Sequence, residues 1–130
     1  MTAKEAIDTL AKIKPHSYDG SVLLKWISDL EKLIWNEVLR WHDESPNEPE
    51  PYEMVEGEGD EPDTVPDVTL LVPEPYSDIY VKYLSAMVEY HNDEIGRYNN
   101  CMILFNAALE AFASWYNRLH MPKQDYYIRI

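Results

Sequence analysis

The large apolar positions between residues 23 and 41 step by three and four: Leu23, Trp26, Ile27, Leu30, Leu33, Ile34, Val38 and Trp41. That spacing lays them on one helical face. It predicts a helix over about residues 19–42, with Ser17 or Asp19 as its cap. A shorter helix over about 3–14 precedes it. Its start has the order of a capping box, in which Thr2 caps and Glu5 reaches back. Ala3, Ile7, Leu10 and Ala11 form its apolar face, and Pro15 stops it.

The second half of the chain opens with Thr69-Leu70-Leu71-Val72, an extended run held out of helix by Pro73 and Pro75. A third helix is predicted over about 76–91, turning Ile79, Tyr80, Tyr83, Leu84, Met87, Val88 and His91 inward. A fourth follows over about 93–119, capped by Asn92 or Asp93, with Gly96 in its first turns. It carries two stripes. Tyr98, Met102, Phe105, Leu109, Phe112 and Tyr116 make one; Cys101, Leu104, Ala108, Ala111 and Trp115 make the other beside it. A helix so apolar around its girth needs more cover than one neighbour gives. Either it sits centrally in its own domain or a second chain covers it. After Pro122, residues 124–130 form a short extended tail, aromatic and β-prone, expected to add to an edge or dock on a partner.

Charge sharpens the division between the halves. The chain carries 24 acids against 11 bases, a net charge of −13. Residues 43–67 hold eleven of those acids, no Lys or Arg, and five of the nine prolines. Removing that segment leaves 13 acids against 11 bases, a net of −2. Ordering these 25 residues costs on the order of 25–50 kcal/mol of backbone entropy. Burying Tyr52, Met54, Val55 and Val65 returns only roughly 6–12 kcal/mol. The segment therefore reads as a mobile acidic loop inserted between helices 2 and 3. The expected fold is all-α: a single four-helix domain over residues 1–130, with that loop and the short extended C-terminal tail.

The candidate chemistry is sparse. No serine sits in a Gly-x-Ser-x-Gly elbow. Cys101, the single cysteine, lies mid-helix on an apolar stripe, the setting of an inert packing thiol. His16, His42, His91 and His120 match neither His-Glu-x-x-His nor Glu-x-x-His, and the loop lacks the Asp-x-Asp-x-Asp-Gly order of a calcium site. The four glycines are isolated, so no phosphate-cradling loop is present. No catalytic residue, metal or cofactor is expected. There is no basic stripe for nucleic acid, an anionic membrane would repel the loop, and no apolar run approaches the roughly 18–20 residues of a membrane span. The first residues mix charges and lack the apolar core of a signal peptide, pointing to a soluble intracellular product.

Aromatic residues remain. Ten tyrosines and four tryptophans are many for this length, and both residues are enriched at protein interfaces. Trp26, Tyr83 and Tyr98 are assigned to the core. Tyr76, Trp115, Tyr126, Tyr127, Ile128 and Ile130 are the candidate contacts with another chain, with Trp115 also a candidate for the domain's own core.

Several stretches together resemble a known family: Lys25-Trp26-Ile27-Ser28-Asp29-Leu30-Glu31, Leu70-Leu71-Val72-Pro73-Glu74-Pro75-Tyr76 running into Tyr80-Val81-Lys82-Tyr83-Leu84, Tyr98-Asn99-Asn100-Cys101-Met102-Ile103-Leu104-Phe105-Asn106-Ala107-Ala108, and Trp115-Tyr116-Asn117-Arg118. They resemble the small helical head–tail connector (neck adaptor) proteins of tailed bacteriophages and prophages, over about residues 1–42 and 68–120. The resemblance implies a homo-oligomeric ring, commonly of about twelve copies, docked on the portal protein and presenting a surface to the next neck or tail-completion protein. It also implies residence in the virion neck, with the host cytoplasm before assembly, and a channel through which DNA slides without sequence-specific binding. The contrasting expectation is a small acidic regulatory module that occupies a basic protein partner through residues 43–67.

Overall fold

The computed structural model describes residues 1–122. Four helices follow one another: α1 (Ala3–Ile13), α2 (Gly20–Glu37), α3 (Ile79–His91) and α4 (Ile95–Leu119), with a single 3-10 turn at Leu39–Trp41 after α2. Among the described residues no strand forms, and the fold is the expected all-α four-helix domain.

Each helix end has a local cause. The Glu5 amide donates to Thr2 Oγ1 at 3.1 Å, and the Thr2 hydroxyl meets the Glu5 carboxylate at 3.4 Å, so the expected cap forms. α1 closes where the Lys14 amide donates to the Leu10 carbonyl, one residue before Pro15. α2 ends five residues short of the predicted 42: Val38 leaves helical geometry and the chain tightens into the 3-10 turn. α3 starts at Ile79 rather than 76, because residues 73–77 form turns in which Tyr76 donates to the Pro73 carbonyl at 2.9 Å. The α3–α4 junction also differs from expectation. Asn92 closes α3, Asp93 takes a left-handed φ of 58°, and Glu94 precedes α4, so neither Asn92 nor Asp93 caps the last helix.

α3 is the central helix. It packs on α4 on one side and on α1 and α2 on the other. Ile79, Tyr80, Leu84 and Val88 are buried as expected, but so are Val81, Ser85, Ala86 and Glu89 on its other faces. His91 does not turn into the core; it is exposed, with its ring stacked on Trp26 at 5.0 Å. On α1 the buried residues are Ala3, Ala6 and Leu10, while Ala11 faces solvent. Leu33 likewise lies outside the buried face of α2.

Two tertiary ties hold the loops to this frame. The extended run before α3 lies beside the N-terminus: Ala3 donates to the Val68 carbonyl at 2.9 Å and Leu70 to the Met1 carbonyl at 3.0 Å. Residues 42 and 122 form an isolated antiparallel bridge, with the Asp43 amide donating to the Met121 carbonyl at 2.9 Å. Leu84, fully buried at the centre of α3, and Leu104, 57% exposed on α4, provide a contrast of positions. Leu84→Ala should lower the unfolding free energy by about 2–5 kcal/mol, and Leu104→Ala by less than about 1 kcal/mol. Chemical denaturation of the two variants measures the difference.

Candidate interaction surface

α4 presents only part of its girth to the core. Phe105, Phe112 and Tyr116 are buried against the rest of the domain, with Phe105 meeting Tyr83 at 5.2 Å and Phe112 meeting Tyr76 at 6.2 Å between ring centres. The second stripe sits at the edge of that contact and beyond it. Leu104 is 57% exposed and its neighbour Ile103 66%. The central helix is α3 and not α4, and the outer face of α4 has no cover within the described residues.

That outer face is poor in charge. Of the 25 residues of α4, only Arg97, Glu110 and Arg118 are charged. Depletion of charge around exposed aliphatic side chains is a composition also found at interface centres. Between α4, α3 and the end of α1 lies a cleft of about 210 Å³. Ile13, Val81, Cys101 and Leu104 make its apolar walls, and Ser85, Lys14 and Lys82 add polar atoms. Both lysines have partners already: Lys14 pairs with the buried carboxylate of Glu89, and Lys82 with Asp78 at 2.8 Å. A broader depression of about 740 Å³ adjoins it, sharing Ile13 and Lys14 and reaching Glu94 and Arg97.

The six residues expected at an interface fare differently. Tyr76 and Trp115 come together, 5.1 Å between ring centres, and both pack on Phe112. They are half-buried and form the aromatic end of the α3–α4 contact. Tyr126, Tyr127, Ile128 and Ile130 lie outside the described residues. Exposed large apolar side chains are found instead at Ile13, Ile103 and Leu104, and also at Ile95, Leu119 and Met121. For Leu104 the signal was present in the second stripe; for Ile13 it was an isoleucine placed just ahead of the helix-stopping Lys14-Pro15 pair.

The acidic segment makes a second surface, and one buried carboxylate positions it. Glu31 of α2 is fully buried. It accepts hydrogen bonds from the Tyr80 hydroxyl, from the Tyr52 hydroxyl at 2.9 Å and from the Leu71 amide at 2.9 Å. Tyr80 in turn accepts from the Val72 amide at 2.9 Å. Next to it on α2, Ser28 Oγ donates to the Leu24 carbonyl and accepts from the Tyr52 amide, both at 3.0 Å. Tyr52 is therefore held by backbone and side chain, and Met54 and Val65 rest against the core beside it. Further along, Val55 and Thr64 exchange backbone hydrogen bonds at 2.8 and 2.9 Å. These polar anchors act beside the apolar contacts of Tyr52, Met54 and Val65. All eleven acids of the segment stay exposed, and Lys32 reaches one of them, Glu48, at 3.9 Å.

Burial raises the Glu31 pKa, outweighing the opposing pull of its three donors, Tyr80 first. Burial and the Glu31 charge push both Tyr52 and Tyr80 upward, so the two phenols remain donors at any physiological pH. The histidines serve packing. His42 hydrogen-bonds the Val38 carbonyl at 2.8 Å and meets Tyr116 edge-on; His120 stacks on Tyr116 at 3.8 Å; His16 accepts from the Tyr18 amide at 3.2 Å. Among the described residues no group of three His, Cys, Asp or Glu side chains is placed to hold a metal, and no helix is long and apolar enough to cross a membrane.

Comparison of the chain with protein-family models, with curated proteins and with solved structures finds no match.

Two measurements test the Glu31 anchor. Because its pKa is raised in the folded state, its contribution to stability is fully present below the ordinary carboxylate value of 4.5 and is lost as pH rises through the raised value. The stability of the native chain relative to Glu31→Gln should therefore grow on acidification across that window, read by denaturant melts at matched pH. Tyr52→Phe removes one of the three donors, costing about 1–2 kcal/mol. The Val55 and Thr64 amides should then exchange with solvent faster, while amides in the middle of α3 keep their protection relative to global unfolding.

Proposed function

We propose that this chain is a structural subunit that works by packing its outer α4 face and the adjoining cleft against another protein chain. One observation carries the reading: a long helix leaves a charge-poor aliphatic flank uncovered, next to a cleft of side-chain size. An isolated soluble domain gains nothing from exposing Ile13, Ile103 and Leu104 together, whereas an interface gains their burial. The sequence resemblance supplies a setting, a head–tail connector ring docked on a phage portal protein. An α4 flank that is neither acidic nor basic suits packing between like subunits.

The acidic segment favours a second reading. Eleven exposed carboxylates on a segment anchored over α2 form a preset anionic surface that a basic protein would meet. In that case the chain is a small regulatory module and the α4 flank is secondary.

Native mass spectrometry separates the two, run on the protein alone and mixed with a phage portal protein. A closed oligomer, alone or on the portal, that survives about 0.5 M salt and is lost in Leu104→Glu is the expected result. A monomer indifferent to the portal would overturn the ring reading. Capture of basic proteins that fades steeply with salt would then support the acidic module.

A further inference from the structure

The position at which the described chain stops, together with the α4 cleft, specifies an occupant. We infer that the cleft between α1, α3 and α4 receives the apolar tail, residues 126–130, of a second copy of this chain. The inference rests on the self-packing reading above and names the segment that does the packing.

The cleft is the wrong size for most small molecules. Ligand pockets commonly enclose about 300–1,000 Å³, and this one encloses about 210 Å³. That is room for one or two large side chains. Its polar content also suits a peptide. Ser85 is 8% exposed, lines the cleft, and its hydroxyl makes no hydrogen bond among the described residues. That hydroxyl is reached by solvent and is open to a backbone amide laid along the cleft. In the adjoining depression Glu94 has no ion-pair partner among the described residues, so its carboxylate is available to a cation.

The segment that follows Pro122 has matching chemistry. In Lys123-Gln124-Asp125-Tyr126-Tyr127-Ile128-Arg129-Ile130, large apolar residues fill four of the last five positions. Read with a period of two, Tyr126, Ile128 and Ile130 share one side. Arg129 beside them is the cation that Glu94 can meet.

Geometry selects a neighbouring copy over the same chain. Pro122 is tied to residue 42 and lies by Ala113 and Asn117 of α4, on the rim of a separate cleft of about 230 Å³. At 100° per residue, Ala113 and Asn117 sit about 120–180° around α4 from Cys101 and Leu104, and the latter pair lie roughly 20 Å back along the axis. Eight residues reach at most about 29 Å. A path to the chain's own cleft would use nearly all of that length crossing the outer face of α4. The exit and the cleft lie on different flanks of one molecule, which is the arrangement of a heterologous, head-to-tail contact.

Cys101 on the cleft wall permits a direct test, since it is the chain's single cysteine. Full-length Tyr126→Cys, Ile128→Cys and Ile130→Cys proteins would be oxidised mildly, alone and with the portal protein. Non-reducing gels would be read beside native mass spectra of the same samples. At least one variant should give a ladder of disulfide-linked chains that is lost when Cys101→Ser is added and depleted when Leu104→Glu is added. A fast-migrating internally closed monomer in place of the ladder would overturn the inference by putting the tail in its own cleft. Oligomers in the mass spectra without any ladder would overturn it while leaving the self-packing reading intact. Monomers throughout, without a ladder, would remove both.

Discussion

A carboxylate inside a small protein must find partners or stay neutral, and Glu31 organises much of this domain around that requirement. Removing a carboxylate from water costs several kcal/mol, which hydrogen bonds must offset. Glu31 draws its donors from three separate parts of the chain: Tyr80 on α3, Tyr52 in the acidic segment and the Leu71 amide in the extended run. None of these is within twenty residues of it in sequence. The cost of the buried charge thereby becomes a constraint on arrangement, because satisfying Glu31 fixes where two irregular segments cross α2. The extended run is further aligned by its two backbone bonds to the N-terminus, by the Val72 amide on Tyr80 and by burial of Leu70 and Val72.

Much of the helical frame was legible in the sequence. The α2 stripe identifies its inner face through Leu23, Trp26, Ile27, Leu30 and Ile34, all buried. Thr2 and Pro15 mark the limits of α1 within a residue or two. The ranking of α3 and α4 was not legible, for a physical reason. Hydrophobic periodicity weights large side chains, so α4, with Ile103, Leu104 and Trp115 beside its main stripe, looks more buried than it is. Close packing on several sides favours small and polar-capable residues as well, and α3 supplies Ser85, Ala86 and Glu89 on the faces that meet neighbours. Lys14 from α1 completes that burial by pairing with Glu89.

The candidate surface was half legible. Leu104 was visible as part of a second stripe, but its exposure depends on which helix lies next to α4, information that no local pattern contains. Glu31 was missed as an anchor although a sign of it was present. It stands four residues after Ile27 and three before Ile34, an acid in register with an apolar stripe. Such a position asks for donors, and the tyrosines that answer lie in segments whose own patterns say little about where they go. The same holds within residues 43–67, where the hydrogen bonds of Tyr52 to Ser28 and Glu31 on α2 offset part of the ordering entropy and no local pattern announces them.

The layering also separates charge. α4 lies on one side of α3 and α1 and α2 on the other, with Tyr52 of the acidic segment held on α2. Of the eleven exposed carboxylates only Glu48 reaches a lysine, and the residues outside the segment are nearly neutral. The negative field of the molecule is therefore centred on the acidic segment. An approaching macromolecule is turned by that field before any side chains touch. Two copies meeting with acidic sides together repel each other, so the encounters that last are those in which the α4 flank of at least one partner leads.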